Sequence, residues 1–241
     1  MHSNLTAQLK SVLRRVSSQS KSPKEQDIEA AIRLQPLAGD LYLPWTSSSM
    51  NPSAIAGLLN DIEINNRLTI VECGSGISTF FLARVLSEKK GARLVTIDHD
   101  EKFLGIVRRW IGQAGLGHCV EFVHAPIEKL PIRIGEGYWY DTRVLDHHFE
   151  NGDSFWQDVT IDMLVVDGPP AWQKGKELAR LPAGAYFNSR LSESFSVFLD
   201  DINRKGEREV ARRWKSVLGV KMFELVGGIG HGQRGQGYTI V

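Results

Sequence analysis

Thr69-Ile-Val-Glu-Cys-Gly-Ser-Gly-Ile-Ser-Thr79 is the stretch that decides the fold. Leu68 to Val71 is an apolar, β-rich run that ends in an acid, Glu72. Gly74-Ser75-Gly76 then makes a tight turn, and Ser78 to Leu86 reads as a helix. A strand that empties through two glycines into a helix N-terminus builds a nucleotide-type pocket. The glycines let backbone come close to a ligand, and the free N–H groups of the helix start face it. The acid sets the kind of ligand: it repels a pyrophosphate and suits an ammonium group or free hydroxyls. The third glycine of a dinucleotide fingerprint would fall at Thr79, so the motif is incomplete for that class.

Outward from this turn, strands and helices alternate. Strands are expected at Leu68–Val71, Arg93–Ile97, Val120–Val123, Asp162–Val166, Ser196–Leu199, Lys221–Leu225 and Tyr238–Val241. Helices are expected at Asp27–Leu34, Ser53–Ile62, Ser78–Leu86, Glu101–Ala114 and Glu207–Leu218. This order predicts an α/β domain with a doubly wound, mostly parallel sheet. Val226 to Gly237 is rich in glycine and too short for a crossover, so the last strand returns antiparallel. The same stretch does not lead from strand to helix, so it reads as a mobile hairpin bordering the site and not as a phosphate loop.

The 241 residues suit one large domain, and a net charge of +1 gives no electrostatic case for nucleic acid as the partner. No apolar run is long enough to span a membrane. Cys73 and Cys119 lack metal-type spacing and read as buried thiols of a reducing, cytoplasmic compartment. Residues 1–35 form a helical segment and linker, and 36–241 the main domain. Leu5, Leu9, Val12, Leu13 and Val16 recur at helical spacing beside Lys10, Arg14 and Arg15. That pattern fits a helix packing on the domain or forming a homodimer contact, and less well a targeting helix.

Two further apolar runs end in acids. Met163 to Val166 delivers Asp167 ahead of Gly168-Pro169-Pro170, and Phe195 to Leu199 delivers Asp200 and Asp201. The carboxyl ends of such strands are where ligands bind in open α/β sheets. Converging carboxylates need neutralising. One neutraliser is a hard divalent cation such as Mg²⁺, which prefers oxygen ligands and can lower the pKa of a bound hydroxyl. The other is protein, from Arg204, Lys174, Arg180 or Arg190. In a metal-free site, Asp167 orients the substrate or acts as base. Tyr138-Trp139-Tyr140, Trp172 and Trp45 are either a clamp for a flat acceptor or loop packing, and Asp146-His147-His148 reads as surface.

The order acid-x-Gly-x-Gly, with a second acid at Asp98 after the next strand, resembles class I S-adenosylmethionine-dependent methyltransferases. Leu43-Pro-Trp-Thr-Ser47, Gly74-Ser-Gly-Ile-Ser-Thr79, Val166-Asp-Gly-Pro-Pro170, Arg180-Leu-Pro-Ala183 and Leu199-Asp-Asp-x-x-Arg204-x-x-Glu207 resemble a bacterial small-molecule branch of that superfamily. The resemblance implies a seven-stranded sheet of order 3-2-1-4-5-7-6 with strand 7 antiparallel. It implies a methyl transfer from S-adenosylmethionine to a small-molecule acceptor, at oxygen. Glu72, Gly74, Ser75, Gly76 and Ser78 then hold the methionine part, Asp98 the ribose, and His99 lies against adenine. Asp167 and Lys174 are the catalytic candidates, and Asp167, Asp200 and Asp201 the metal ligands. Relatives often place an acid or amide after the third strand to read adenine; this chain has His124-Ala125-Pro126, so backbone near Ala125 to Ile127 is the expected substitute. Two rivals remain: a nicotinamide-dependent oxidoreductase, and a non-catalytic binding protein that keeps the fold.

Overall fold

The computed structural model describes residues 21–130, 137–151 and 155–239. The expected helix over Leu5 to Val16 lies outside the described residues, as does the end of the expected last strand. Chain order begins with α1 (Pro23–Ala38), α2 (Pro52–Asn65), β1 (Thr69–Cys73), α3 (Ile77–Leu86), β2 (Arg93–Asp98), α4 (Glu101–Gln113) and β3 (Val120–His124). There follow β4 (Ile127–Lys129), β5 (Tyr138–Tyr140), α5 (Thr142–Glu150), β6 (Ile161–Val166) and α6 (Leu181–Phe187). The chain closes with β7 (Leu191–Leu199), α7 (Lys205–Val217), β8 (Phe223–Glu224) and β9 (Gly230–Arg234).

Seven strands form one sheet in the order β3-β2-β1-β6-β7-β9-β8. Counting only the strands of this sheet, the order is 3-2-1-4-5-7-6. β9 runs antiparallel to both β7 and β8, and the pairs from β3 through β7 are parallel. The doubly wound fold is therefore the expected one. β1 lies inside the sheet because its residues tolerate burial on both faces: Ile70, Val71 and Cys73 are fully buried. β1 is flanked by β2 on one side and β6 on the other. The crevice where the chain direction splits lies at their carboxyl ends, where the glycine turn sits.

Helix α3 holds that turn in place. Ile77, Phe80, Phe81, Leu82 and Leu86 are buried against the sheet and α2, each contributing roughly 1.5–3 kcal/mol of transfer free energy. On the first helix, Ser22 accepts from the Glu25 N–H and the Glu25 carboxylate accepts from the Ser22 N–H. Ala30 and Leu34 of α1 are buried, and the helix packs on α2 and α3.

The last strand differs from expectation. Among the described residues it is Gly230–Arg234, inside the glycine-rich stretch, and Tyr238 and Thr239 are not in a strand. The apolar pattern of 238–241 suggested the strand, but packing decides it. A side chain at Gly232 would sit 2.6 Å from Met222 Sδ and 3.0 Å from Val220, so the glycine lets β9 lie close against both. The preceding turn is pinned: the Gly227 carbonyl accepts from Asn51 Nδ2 at 2.8 Å and that of Gly228 from Ile202 N–H at 2.8 Å. The irregular stretch before β6 contains the β4–β5 hairpin and α5, neither of which the periodicity showed.

Candidate functional site

A cavity of about 430 Å³ opens over the carboxyl ends of β1, β2, β6 and β7. Its cofactor side is built from hydrogen-bonded backbone. Asp98, ending β2, accepts from the Ser75 N–H through Oδ2 at 2.9 Å and from the Asp100 N–H through Oδ1 at 2.8 Å. His99 Nδ1 lies 3.2 Å from the same Oδ1. One carboxylate thus ties the glycine turn to the loop after β2 and forms part of the cavity lining. Gly74 has φ of +97°, and a side chain there would lie 2.7 Å from Gly168 N. The turn after β1 and the turn after β6 touch backbone to backbone, with Asp167 and Gly168 N–H groups donating to the Cys73 carbonyl at 2.8 and 2.7 Å. Glycine at both positions is what brings Asp167 beside the turn.

Glu72 is not part of the lining. Its fully buried carboxylate sits beneath the turn and accepts from the hydroxyls of Ser78 (2.6 Å), Thr96 (2.8 Å) and Thr79. Burial pushes its pKa up to about 7 against the lowering effect of those three donors. It braces the first turn of α3. Gly76 and Ser78 share this layer: Gly76 N–H donates to Thr79 Oγ1 at 2.9 Å.

On the acceptor side, ligand oxygens of Asp167, Asp200 and Asp201 come within 4.8 Å of one another. Burial, then the neighbouring Asp200, drives the Asp167 pKa well up, and burial followed by Asp201 raises that of Asp200. Arg180 is the internal counter-ion. Its Nη2 lies 3.1 Å from Asp167 Oδ1 and 3.1 Å from Asp201 Oδ2, and its Nη1 donates to the Asp200 carbonyl at 3.0 Å. Arg204 Nη1 reaches Asp201 Oδ2 at 2.8 Å. Glu207, on the first turn of α7 and itself buried, is a fourth acid behind this set.

A family model described as a methyltransferase domain matches residues 71–202, a span running from β1 through the acid pair after β7. The chain belongs to the methyltransferase-domain family. No curated protein matches it in sequence. Solved methyltransferases share its fold. The O-methyltransferase TomG from Streptomyces achromogenes, in complex with SAM, is 18% identical with a TM-score of 0.52, over 93% of this chain and 96% of that one. An O-methyltransferase from Bacillus cereus, in complex with SAH, is 18% identical at 0.51, over 92% and 96%. The SAH-bound Podospora anserina methyltransferase PaMTH1 is 12% identical at 0.55, over 96% of each chain.

In this methyltransferase the expected residues divide into three groups. Gly74, Ser75, Asp98, His99, Asp167, Asp200 and Asp201 line one cavity. Glu72 and Ser78 are buried beneath it, and Gly76, half-buried at the N-cap of α3, is outside its lining. Lys174 is exposed and outside the lining, and no lysine lines the cavity among the described residues. Of the expected protein neutralisers, Arg180 and Arg204 serve the acids, whereas Arg190 pairs with Glu150 at 3.3 Å. The backbone near Ala125 is taken up by the fold: Ala125 N–H donates to the Asp98 carbonyl and Asp141 N–H to that of Pro126.

Trp172 lies at the cavity rim, 71% exposed, while Trp45 packs at 6.2 Å from Phe81 outside the lining. Residues 227–237 do not line the cavity either. Sequence reading missed Phe103 and the role of Tyr140. The Tyr140 ring is buried and its hydroxyl, over Gly168, has no hydrogen-bond partner. Its alternation with Tyr138 in a short strand was the available signal. A larger groove of about 600 Å³ between α1, α2 and the β8–β9 turn is remote from these groups, and its Lys21 and Glu29 pair with each other.

Proposed function

We propose that this methyltransferase takes the methyl group from S-adenosylmethionine and transfers it to an oxygen of a small-molecule acceptor, with a divalent cation such as Mg²⁺ at the acid cluster. The observation that carries the reading is that one cavity joins Ser75 and Asp98 to Asp167, Asp200 and Asp201. The SAM- and SAH-bound structures of similar fold support the cofactor. The turn fits it: Asp98 lines the cavity where ribose hydroxyls would lie, and Gly74 and Ser75 line it beside that carboxylate, on the side that would take the methionine part. Buried, unpaired Cys73 and Cys119 fit a reducing cytoplasm.

The acids fit a hard cation by charge as well as by donor type. Asp167, Asp200, Asp201 and Glu207 face two guanidiniums, Arg180 and Arg204, leaving a formal charge of −2 when all are ionised. Carboxylate oxygens suit Mg²⁺ and similar ions and not thiophilic metals. Such an ion, when bound, lowers the pKa of an acceptor hydroxyl. Asp167, held between Arg180 and the Cys73 carbonyl, is placed to receive the acceptor proton. Arg180 fixes Asp167 and Asp201 relative to each other. Pro169, Pro170 and Tyr140 close the cavity floor against water. Bringing nucleophile and methyl into line supplies much of the acceleration.

The test is calorimetric titration with S-adenosylhomocysteine, with and without Mg²⁺ and with NADH as control. Binding of the homocysteine compound in the micromolar range supports the reading. Binding of NADH in its place would overturn it. Asp167→Asn should keep that binding and lose turnover in an acceptor screen; a protein that binds the cofactor and methylates nothing across broad panels would favour the non-catalytic rival.

A further inference from the structure

Glu207 is the side chain of this site that the reading above leaves without a task. It is 1% exposed, and its Oε1 has no hydrogen-bond partner. The same oxygen lies 3.8 Å from Arg180 Nη1 and 3.9 Å from Arg204 Nη1, just beyond hydrogen-bond reach of both. A buried carboxylate oxygen left unpaired is costly, and here two guanidiniums stand close enough to satisfy it. Both are engaged elsewhere, Arg180 on Asp167 and Asp201, and Arg204 on Asp201. The atoms that hold Arg180, Asp167 Oδ1 and Asp201 Oδ2, belong to the acid cluster that would bind the cation.

Cation and guanidinium therefore compete for the same oxygens, and a buried guanidinium cannot be displaced into nothing. We propose that Glu207 is a positioning residue that receives Arg180 when a divalent cation takes over Asp167 and Asp201. The inference rests on the cation reading of the acid cluster. A shift of under an ångström closes the 3.8 Å gap to an ion-pair hydrogen bond. With Glu207 neutral, Arg180 loses this second partner and holds the cluster more tightly, so the cation binds less well. With Arg180 also neutral, the competitor is gone and the loss disappears.

The experiment is Mn²⁺ titration of the full-length protein, followed by the paramagnetic resonance of free Mn²⁺. Thermal melts and S-adenosylhomocysteine calorimetry are run on the same samples. Glu207→Gln should raise the Mn²⁺ Kd about tenfold, equivalent to ~1.4 kcal/mol, with S-adenosylhomocysteine binding unchanged. In an Arg180→Gln background the same change should alter the Mn²⁺ Kd less than about twofold. Glu207→Met replaces the Gln variant if that one does not fold, with the same expectation. A lower melting temperature with an unmoved Mn²⁺ Kd would mean that Glu207 only braces α7, and the proposal fails while the cation reading stands. Wild-type protein that binds S-adenosylhomocysteine but no Mn²⁺ overturns the cation reading and this inference with it.

Discussion

Replacing Glu72 by Gln should change how the stability of the fold depends on pH. Its carboxylate is fully buried under the glycine turn, and burial holds its pKa near 7 in place of the ordinary 4.5. The unfolded chain gives up this proton near 4.5, while the folded protein keeps it until about 7. Between those values the folded state binds more protons, so stability falls as pH rises through the window and levels off above it. At about 1.36 kcal/mol per pH unit, the window is worth ~3 kcal/mol. Glutamine does not titrate, and the Ser78, Thr79 and Thr96 hydroxyls can rotate to serve it. The difference in unfolding free energy, Gln variant minus wild type, should therefore move by about 3 kcal/mol in favour of the variant between about pH 5 and about pH 8. Urea denaturation of both proteins at the two pH values measures it, and the subtraction removes groups common to both. A difference constant to within about 1 kcal/mol would refute the reasoning, because it would mean that Glu72 ionises in the fold as readily as in the unfolded chain.

Gly74→Ala places a side chain at φ of +97° and 2.7 Å from Gly168 N; the backbone and overpacking terms together cost roughly 2–5 kcal/mol, and a thermal melt unchanged to within a degree or two would contradict the contact. Asp98→Asn weakens the bonds from the Ser75 and Asp100 N–H groups and any bond to ribose. The S-adenosylhomocysteine Kd should rise at least about tenfold, roughly one charge-assisted hydrogen bond, and calorimetry showing an unchanged Kd would remove Asp98 from the cofactor site. Lys174→Ala should leave turnover of an identified acceptor within about twofold, since the side chain is not part of the cavity lining. A large fall in kcat would bring Lys174 back as a catalytic group.

The sheet was legible because its evidence is periodic and local. A β-rich run, two glycines and a helix start recur in one order, and acids mark the strand ends at Glu72, Asp98, Asp167 and Asp200. The same local evidence shows which residues stand near the carboxyl edge, but it does not show which way they point. Glu72 and Asp98 look equivalent in sequence. β1 and β2 pair with Glu72 opposite Thr96, one strand position before the turn, and this carries the Glu72 carboxylate under α3. Asp98 lies one step past the paired stretch, level with the turn itself, and faces the cavity. Lys174 illustrates a related point: Gly168, Pro169, Pro170 and Trp172 line the cavity and Lys174 does not, while Arg180 comes back to the acids. Spacing reports reach along a chain, whereas the charge pairing in this site is set by contacts between separate elements. Arg180 precedes α6, Glu207 opens α7, and the acids follow β6 and β7. A residue that completes a buried charge balance is recognised only once those elements are packed, which is why the cluster's counter-ion had four sequence candidates and its partner Glu207 had no assigned role.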